Sequence, residues 1–186
     1  GAMYSIIGLE DSQVAQACQT ARQKTGGGAW PANYNSPGQV VISGEDKAAR
    51  AAADLCTELG ARRAVRLNVA GAFHSQLMQP AADRLAADLA EVRIERPAYP
   101  IVSNVTGQPT DDSDEIRGLL VRQITSPVRW LDGMRWLIGR GVREYYEIGP
   151  GRVLQGLLKR TDRSVTCLSI GSVEDVQAYA GKSTRT

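Results

Sequence analysis

An α/β fold in two modules is what this sequence predicts, and three observations carry the prediction. The segment 1–67 runs strand, helix, strand, strand, helix, strand, which is the order of a split βαβ, or ferredoxin-like, unit. From residue 98 onward, apolar strand-like runs alternate with amphipathic helical patterns, which favours a parallel α/β layer. Glycine is generous at 19 residues, and glycines stand at the ends of many of these segments.

The first module opens with an apolar strand over 2–7 closed by Gly8, then a helix over 10–24 with Val14, Ala17, Cys18 and Ala21 at helical spacing. Gly26-Gly27-Gly28 ends that helix as a turn, since glycine tolerates positive φ without a side-chain penalty. A second strand is expected over 30–34, a turn at Asn35-Ser36-Pro37-Gly38, and a third strand over 39–43. Gly44 releases a helix over 45–59, and 64–67 completes the sheet. Alanine is concentrated in the helical patterns, which predicts close helix packing.

In the second module, 76–89 reads as one amphipathic helix with Leu77, Ala81, Leu85 and Leu89 on a stripe. A strand is expected over 98–102, and Asp111-Asp112-Ser113-Asp114-Glu115 announces a helix ending near 123–126. The next helix is predicted over 128–138, with Pro127 in its first turn. A strand over 144–148, the Gly149-Pro150-Gly151 connection, a helix carrying Val153, Leu154, Leu157 and Leu158, a strand over 164–169, and a short helix over 173–179 follow. Residues 181–186 read as a frayed tail. The parallel layer is short of strands for an independent domain.

Composition narrows the function classes. The net charge of +2 comes from 22 basic and 20 acidic side chains intermixed along the chain, so no basic block marks a nucleic-acid partner. No run of apolar residues is long enough to span a membrane, and no secretory signal is readable, so a cytoplasmic setting is expected. Cys18, Cys56 and Cys167 are odd in number and far apart, which predicts reduced structural thiols and no metal site.

The candidate chemistry centres on Leu67-Asn68-Val69-Ala70-Gly71-Ala72-Phe73-His74-Ser75, because His74 is the sole histidine. One histidine cannot build a multi-His metal centre, yet it can act as the general base of an acyl-transfer or hydrolytic site. A polar residue satisfied between modules is the other reading that the residue alone leaves open. Ser75 is a poor nucleophile for it, since neighbouring side chains in an extended segment point apart. No G-x-S-x-G, HExxH, paired CxxC or P-loop string occurs, and Gly149-Pro150-Gly151 lacks the lysine and hydroxyl of a phosphate cradle.

An ordered set of motifs goes further. Gly1-Ala2-Met3-Tyr4, Asn33-Tyr34-Asn35-Ser36-Pro37-Gly38-Gln39-Val40-Val41-Ile42-Ser43-Gly44, Gly71-Ala72-Phe73-His74-Ser75, Val121-Arg122-Gln123, Ser126-Pro127-Val128-Arg129-Trp130 and Glu147-Ile148-Gly149-Pro150-Gly151 together resemble the malonyl-CoA:acyl carrier protein transacylase family. The resemblance runs from residue 1 to about 170. It implies an α/β fold in which a ferredoxin-like small subdomain, 1–67, joins the C-terminal part of an α/β-hydrolase-like acyltransferase domain, 68–186. It also implies that the half bearing the nucleophilic serine elbow, the carboxylate-binding arginine and part of the oxyanion hole precedes Gly1.

By the same resemblance, His74 matches the histidine of a Ser-His dyad, Gln123 the segment that orients it, and Phe73, Asn33 and Asn35 positions of the substrate pocket. Phe73 looks like the variant that selects malonyl over methylmalonyl. The implied reaction is ping-pong transfer of malonyl from malonyl-CoA to the phosphopantetheine thiol of acyl carrier protein, in fatty-acid or polyketide biosynthesis, without metal or tightly bound cofactor. The missing N-terminal half would be a further partner, and this chain alone is expected to be inactive. Arg122, Arg129, Arg152, Lys159 and Arg160 are candidates for steering an acidic carrier protein. The alternative is a non-catalytic fragment or carrier-protein interaction module.

Overall fold

The computed structural model describes residues 1–183 of the chain. They fall into two compact units, Gly1–Gly133 and a second starting at Met134.

The first unit begins with β1 (Ala2–Ile7) and α1 (Asp11–Thr25). Glu10 and Gln13 close a reciprocal capping box at the start of α1, and Gly26 ends it at φ 71°, in the left-handed conformation that glycine takes without a Cβ clash. The strands β2 (Ala29–Ser36) and β3 (Gln39–Gly44) form a hairpin, followed by α2 (Asp46–Glu58) and β4 (Arg63–Arg66). The sheet order is β2-β3-β1-β4, every pairing antiparallel. That is the ferredoxin-like arrangement expected from the element order. β2 runs to Ser36, so it takes in the first half of the expected turn, and its register with β3 shifts between Pro31 and Asn33 and again between Tyr34 and Ser36.

Both helices lie on one face of this sheet. Ala17, Ala21, Ala48, Ala49, Ala52 and Ala53 are buried there, and such small side chains let the helix backbones approach closely. Ile6, Ile42 and Val14 are at most 1% exposed, and burying a side chain of this size contributes about 1.5–3 kcal/mol relative to exposure. Gly44 is required at the end of β3, where a Cβ would sit 2.2 Å from the Gly28 carbonyl oxygen. The opposite face carries a smaller cluster of Met3, Ala32 and Val41, with Leu67 packed on it.

Beyond residue 67 the structure departs from the sequence reading in several places. The expected helix over 76–89 is a 3₁₀ turn, Gln76–Met78, followed by α3 (Gln79–Ala90) with Pro80 at its start, where a missing N–H costs nothing. The expected strand over 98–102 shrinks to β5 (Ile101–Val102), which pairs antiparallel with an unanticipated β6 (Pro109–Thr110). Gly107, at φ 66°, turns the chain between them, its N–H donating to the Ser103 carbonyl. After α4 (Ser113–Gln123), capped by the Asp112 carboxylate, the next helix starts only at Trp130 as α5 (Trp130–Gly139). Pro127 is not in its first turn, because Val128 is extended and bonded to β2 on both sides.

The second unit holds the parallel pair β7 (Glu144–Ile148) and β8 (Thr166–Ile170), with α6 (Val153–Thr161) between them and α7 (Val173–Ser183) after. The parallel layer is thus confined to two strands, since β5 belongs to its own hairpin. The terminal helix continues past the expected 179, and the rest of the predicted tail, 184–186, lies outside the described residues. No helix of the described residues is long and apolar enough to cross a membrane.

Candidate active site

Between β4 and the 3₁₀ turn, the chain folds into a tight hook at 72–75. Its centre is His74, the one residue other than glycine with positive φ, 58°, among the described residues. For a side chain with a Cβ this left-handed conformation costs about 1–2 kcal/mol, so the surroundings must hold it. Ser75 does part of that. It is 1% exposed, and its hydroxyl donates to the Ala72 carbonyl oxygen at 2.6 Å, closing the hook. The segment is therefore turned rather than extended, and the Ser75 hydroxyl is already committed. Phe73 is 41% exposed beside Gly71, whose position would accept a Cβ at ordinary contact distance.

The imidazole makes one decisive bond. His74 Nδ1 lies 2.9 Å from the backbone carbonyl oxygen of Gln123. A carbonyl only accepts, so Nδ1 carries the hydrogen and the neutral ring keeps its lone pair on Nε2. Gln123 is the last residue of α4, where carbonyls have no intrahelical partner, and the N–H groups of Ile124 and Thr125 turn back to Val121 and Arg122. Its carbonyl is thereby available.

The Gln123 side chain is fixed as well. Asn104 Nδ2 donates to Gln123 Oε1 at 2.8 Å, and the Asn104 carbonyl accepts from the Arg129 N–H at 2.7 Å. One residue back, the Val128 N–H donates to the Ala32 carbonyl and the Tyr34 N–H donates to the Val128 carbonyl, both at 2.8 Å. The extended segment 127–129 thus ties β2 to the turn holding Asn104, and Asn33 sits at the bridge with Val128. The structure brings His74 and Gln123 together directly and ties Asn33 to the same framework through its backbone. Asn35 falls at the second register shift of β2. Asn104 was not legible in the sequence, because its partner is on another element and its own turn reads only as a strand end.

An apolar cleft of about 340 Å³ opens beside Asn104 and Gln123, walled by Ile101, Ile116, Leu119 and Leu120. Near β2, burial, then the negative charge of Asp11, pushes the Tyr34 phenol up, so it stays protonated. The buried cysteines of the first unit, Cys18 and Cys56, are no alternative nucleophiles. Burial, followed by the neighbouring Cys56, pushes the Cys18 thiol up to about 12 despite Arg22, and burial pushes Cys56 up to about 11. Among the described residues no cluster of His, Cys, Asp and Glu could hold a metal ion.

Of the candidate steering cations, Arg129 is paired with Asp132 at 3.0 Å on the surface, a contact worth no more than about 1 kcal/mol. Arg152 and Lys159 line a depression of about 330 Å³ in the second unit. The glycine-rich turn there has a structural purpose. The Glu147 carboxylate accepts the N–H groups of Leu154 at 2.9 Å and Gln155 at 2.8 Å, filling the helix start that an anion would need.

Comparison with known proteins shows the family. A family model described as "Acyl transferase domain" matches residues 7–182. The malonyl CoA-acyl carrier protein transacylase of Escherichia coli (strain K12) is 43% identical over 170 residues, which is 91% of this chain and 54% of that protein. The crystal structure of an acyl carrier protein S-malonyltransferase from Vibrio cholerae superposes with a TM-score of 0.90 at 43% identity, covering 96% of this chain and 57% of that one. A type II PKS acyl-carrier protein in complex with its malonyl-transacylase gives 0.91 at 39% identity, covering 97% and 58%. The chain spans about half the length of the curated relatives it matches. The α/β fold class expected from the sequence is the one these structures have, and with nearly its whole length under the family model, the chain belongs to the acyl transferase domain family.

Proposed function

We propose that this chain supplies the general base for ping-pong transfer of a malonyl group from malonyl-CoA to the phosphopantetheine thiol of acyl carrier protein. The observation that carries the reading is the His74–Gln123 bond, which holds the imidazole with Nε2 as its basic nitrogen. The relatives named as malonyl transferases support the substrate, and the complex of one with its acyl carrier protein supports the acceptor.

In the first half-reaction His74 Nε2 takes the hydroxyl proton of a serine, supplied by a segment corresponding to the uncovered half of the relatives. The serine oxygen adds to the thioester carbonyl. The C–S bond then breaks, and the CoA thiolate leaves with the proton from His74. In the second, the phosphopantetheine thiol gives its proton to Nε2 and its sulfur adds to the malonyl ester carbon. The serine oxygen departs and recovers the proton. Gln123 orients the base, while Phe73, Asn33 and Asn35 border the substrate. Residues 1–67 serve as the small subdomain and 68–186 as part of the larger acyltransferase domain.

The test joins the chain to a segment bearing the serine and follows malonyl transfer to holo acyl carrier protein. His74→Ala should slow transfer by about 10²- to 10⁴-fold. Transfer indifferent to that substitution contradicts the role of His74. A stoichiometric malonyl adduct on the isolated chain contradicts the assignment of the nucleophile to another segment.

A further inference from the structure

We infer that Asn104 is a positioning residue that sets the tautomer of His74 through Gln123. The inference rests on the reading of His74 as a base only for its functional meaning; the structural claim stands on three hydrogen bonds in series. His74 Nδ1–H donates to the Gln123 carbonyl, the Gln123 side chain accepts from Asn104 Nδ2, and the Asn104 carbonyl accepts from the Arg129 N–H.

Every residue has a backbone carbonyl, so the acceptor of the His74 bond is present whatever side chain stands at 123. What varies is how firmly that carbonyl is aimed. It belongs to the last residue of α4, where the peptide plane is held from the chain's own side by long turn bonds, Ile124 N–H to the Val121 carbonyl and Thr125 N–H to the Arg122 carbonyl, both at 3.2 Å. The Asn104–Gln123 side-chain bond pins this end to a stiff piece of structure. Ser103 N–H donates to the Gln108 carbonyl, Gly107 N–H donates to the Ser103 carbonyl, and the segment 127–129 holds Asn104 from the other side. Both amides are half-buried, so competing water is reduced at the link.

Removing the link leaves the end of α4 to those long turn bonds, and the Nδ1–H donor faces a less firmly aimed acceptor. The neutral imidazole then redistributes its hydrogen toward Nε2, the atom that must stay bare to act as a base. Because His74 is the sole histidine, its ring nitrogens give one unambiguous set of ¹⁵N signals in the 186-residue chain.

The experiment measures the ratio of Nδ1–H to Nε2–H imidazole by ¹⁵N NMR at a pH where the ring is neutral. Nδ1–H should predominate in the native chain. Asn104→Leu should lower the ratio by about three- to tenfold, the effect of losing one hydrogen bond, and Gln123→Ala should lower it equally. The double variant should go no further, because both substitutions cut the same bond. An unchanged ratio in a folded variant, or additive effects of the two substitutions, overturns the inference. If Asn104→Leu does not fold, Gln123→Ala, which keeps the backbone carbonyl, decides alone. No acyl transfer enters the measurement, so failure of the transferase reading and failure of this one are told apart.

Discussion

His74 combines a chemical role with a backbone conformation that histidine does not favour, and substitution separates the two. His74→Ala and His74→Gly both remove the imidazole and its bond to Gln123, so they differ only in the backbone. At φ 58° the alanine Cβ keeps the left-handed penalty of about 1–2 kcal/mol, while glycine has none. Glycine also loses more chain entropy on folding, which costs about 0.4–1 kcal/mol relative to alanine. The difference leaves His74→Gly more stable than His74→Ala by about 1 kcal/mol, the reverse of the order at an ordinary position. Urea unfolding followed by far-UV circular dichroism measures this as a midpoint higher by about 0.5 M for a slope near 2 kcal/mol/M. A His74→Ala variant as stable as His74→Gly, or more so, would refute the claim that the hook strains the backbone.

Two other outcomes follow from the same structure. Burial raises the Glu147 carboxyl, but the N–H donors of Gln155 and Leu154 outweigh it and hold the group below its ordinary value near 4.5. A depressed folded value means stability present above that pH and lost as pH falls through the folded value, so Glu147→Gln should flatten the acid limb of the stability profile below about pH 5; an identical acid limb in thermal melts counts against the capping role. At pH 8, Cys18 and Cys56 should resist an alkylating reagent in the native chain while Cys167, half-buried, is labelled first; mass spectrometry showing Cys18 or Cys56 labelled before it would contradict the burial.

How much the sequence revealed depended on whether an element carries its own period. The sheet and helices of the first module were legible because Val14, Cys18 and Ala21 repeat at helical spacing and Val40-Val41-Ile42 is an apolar, β-branched run. Two-residue strands have no period, so β6 was invisible and β5 was overdrawn. At Pro127 the local signal for a helix start was overridden by tertiary bonding, since the N–H and carbonyl of Val128 are claimed by Ala32 and Tyr34. The site was half legible. His74 stood out by being alone, and Gln123 came from motif resemblance. Its partner Asn104 could not be found, because a side-chain bond across 19 residues leaves no mark on either local pattern. The Glu147 cap was hidden similarly, its donors lying seven and eight residues on.

The division of labour at Gln123 explains why a position that touches the candidate base need not be chemically special itself. Its contact with His74 is made by the backbone, which any residue would provide, and its side chain is turned to Asn104. Histidine bases are often oriented by a carboxylate, whose charge would also favour the imidazolium; a carbonyl orients the ring without a full negative charge beside it. In that arrangement precision has to come from rigidity. The framework supplies it in layers: a helix end, an amide pair, a turn closed by Gly107, and a segment bonded to β2. Substitutions in the inner layers should therefore act on the tautomer of one ring well before they act on the fold. Those in the outer layer, such as at Val128, should disturb both together.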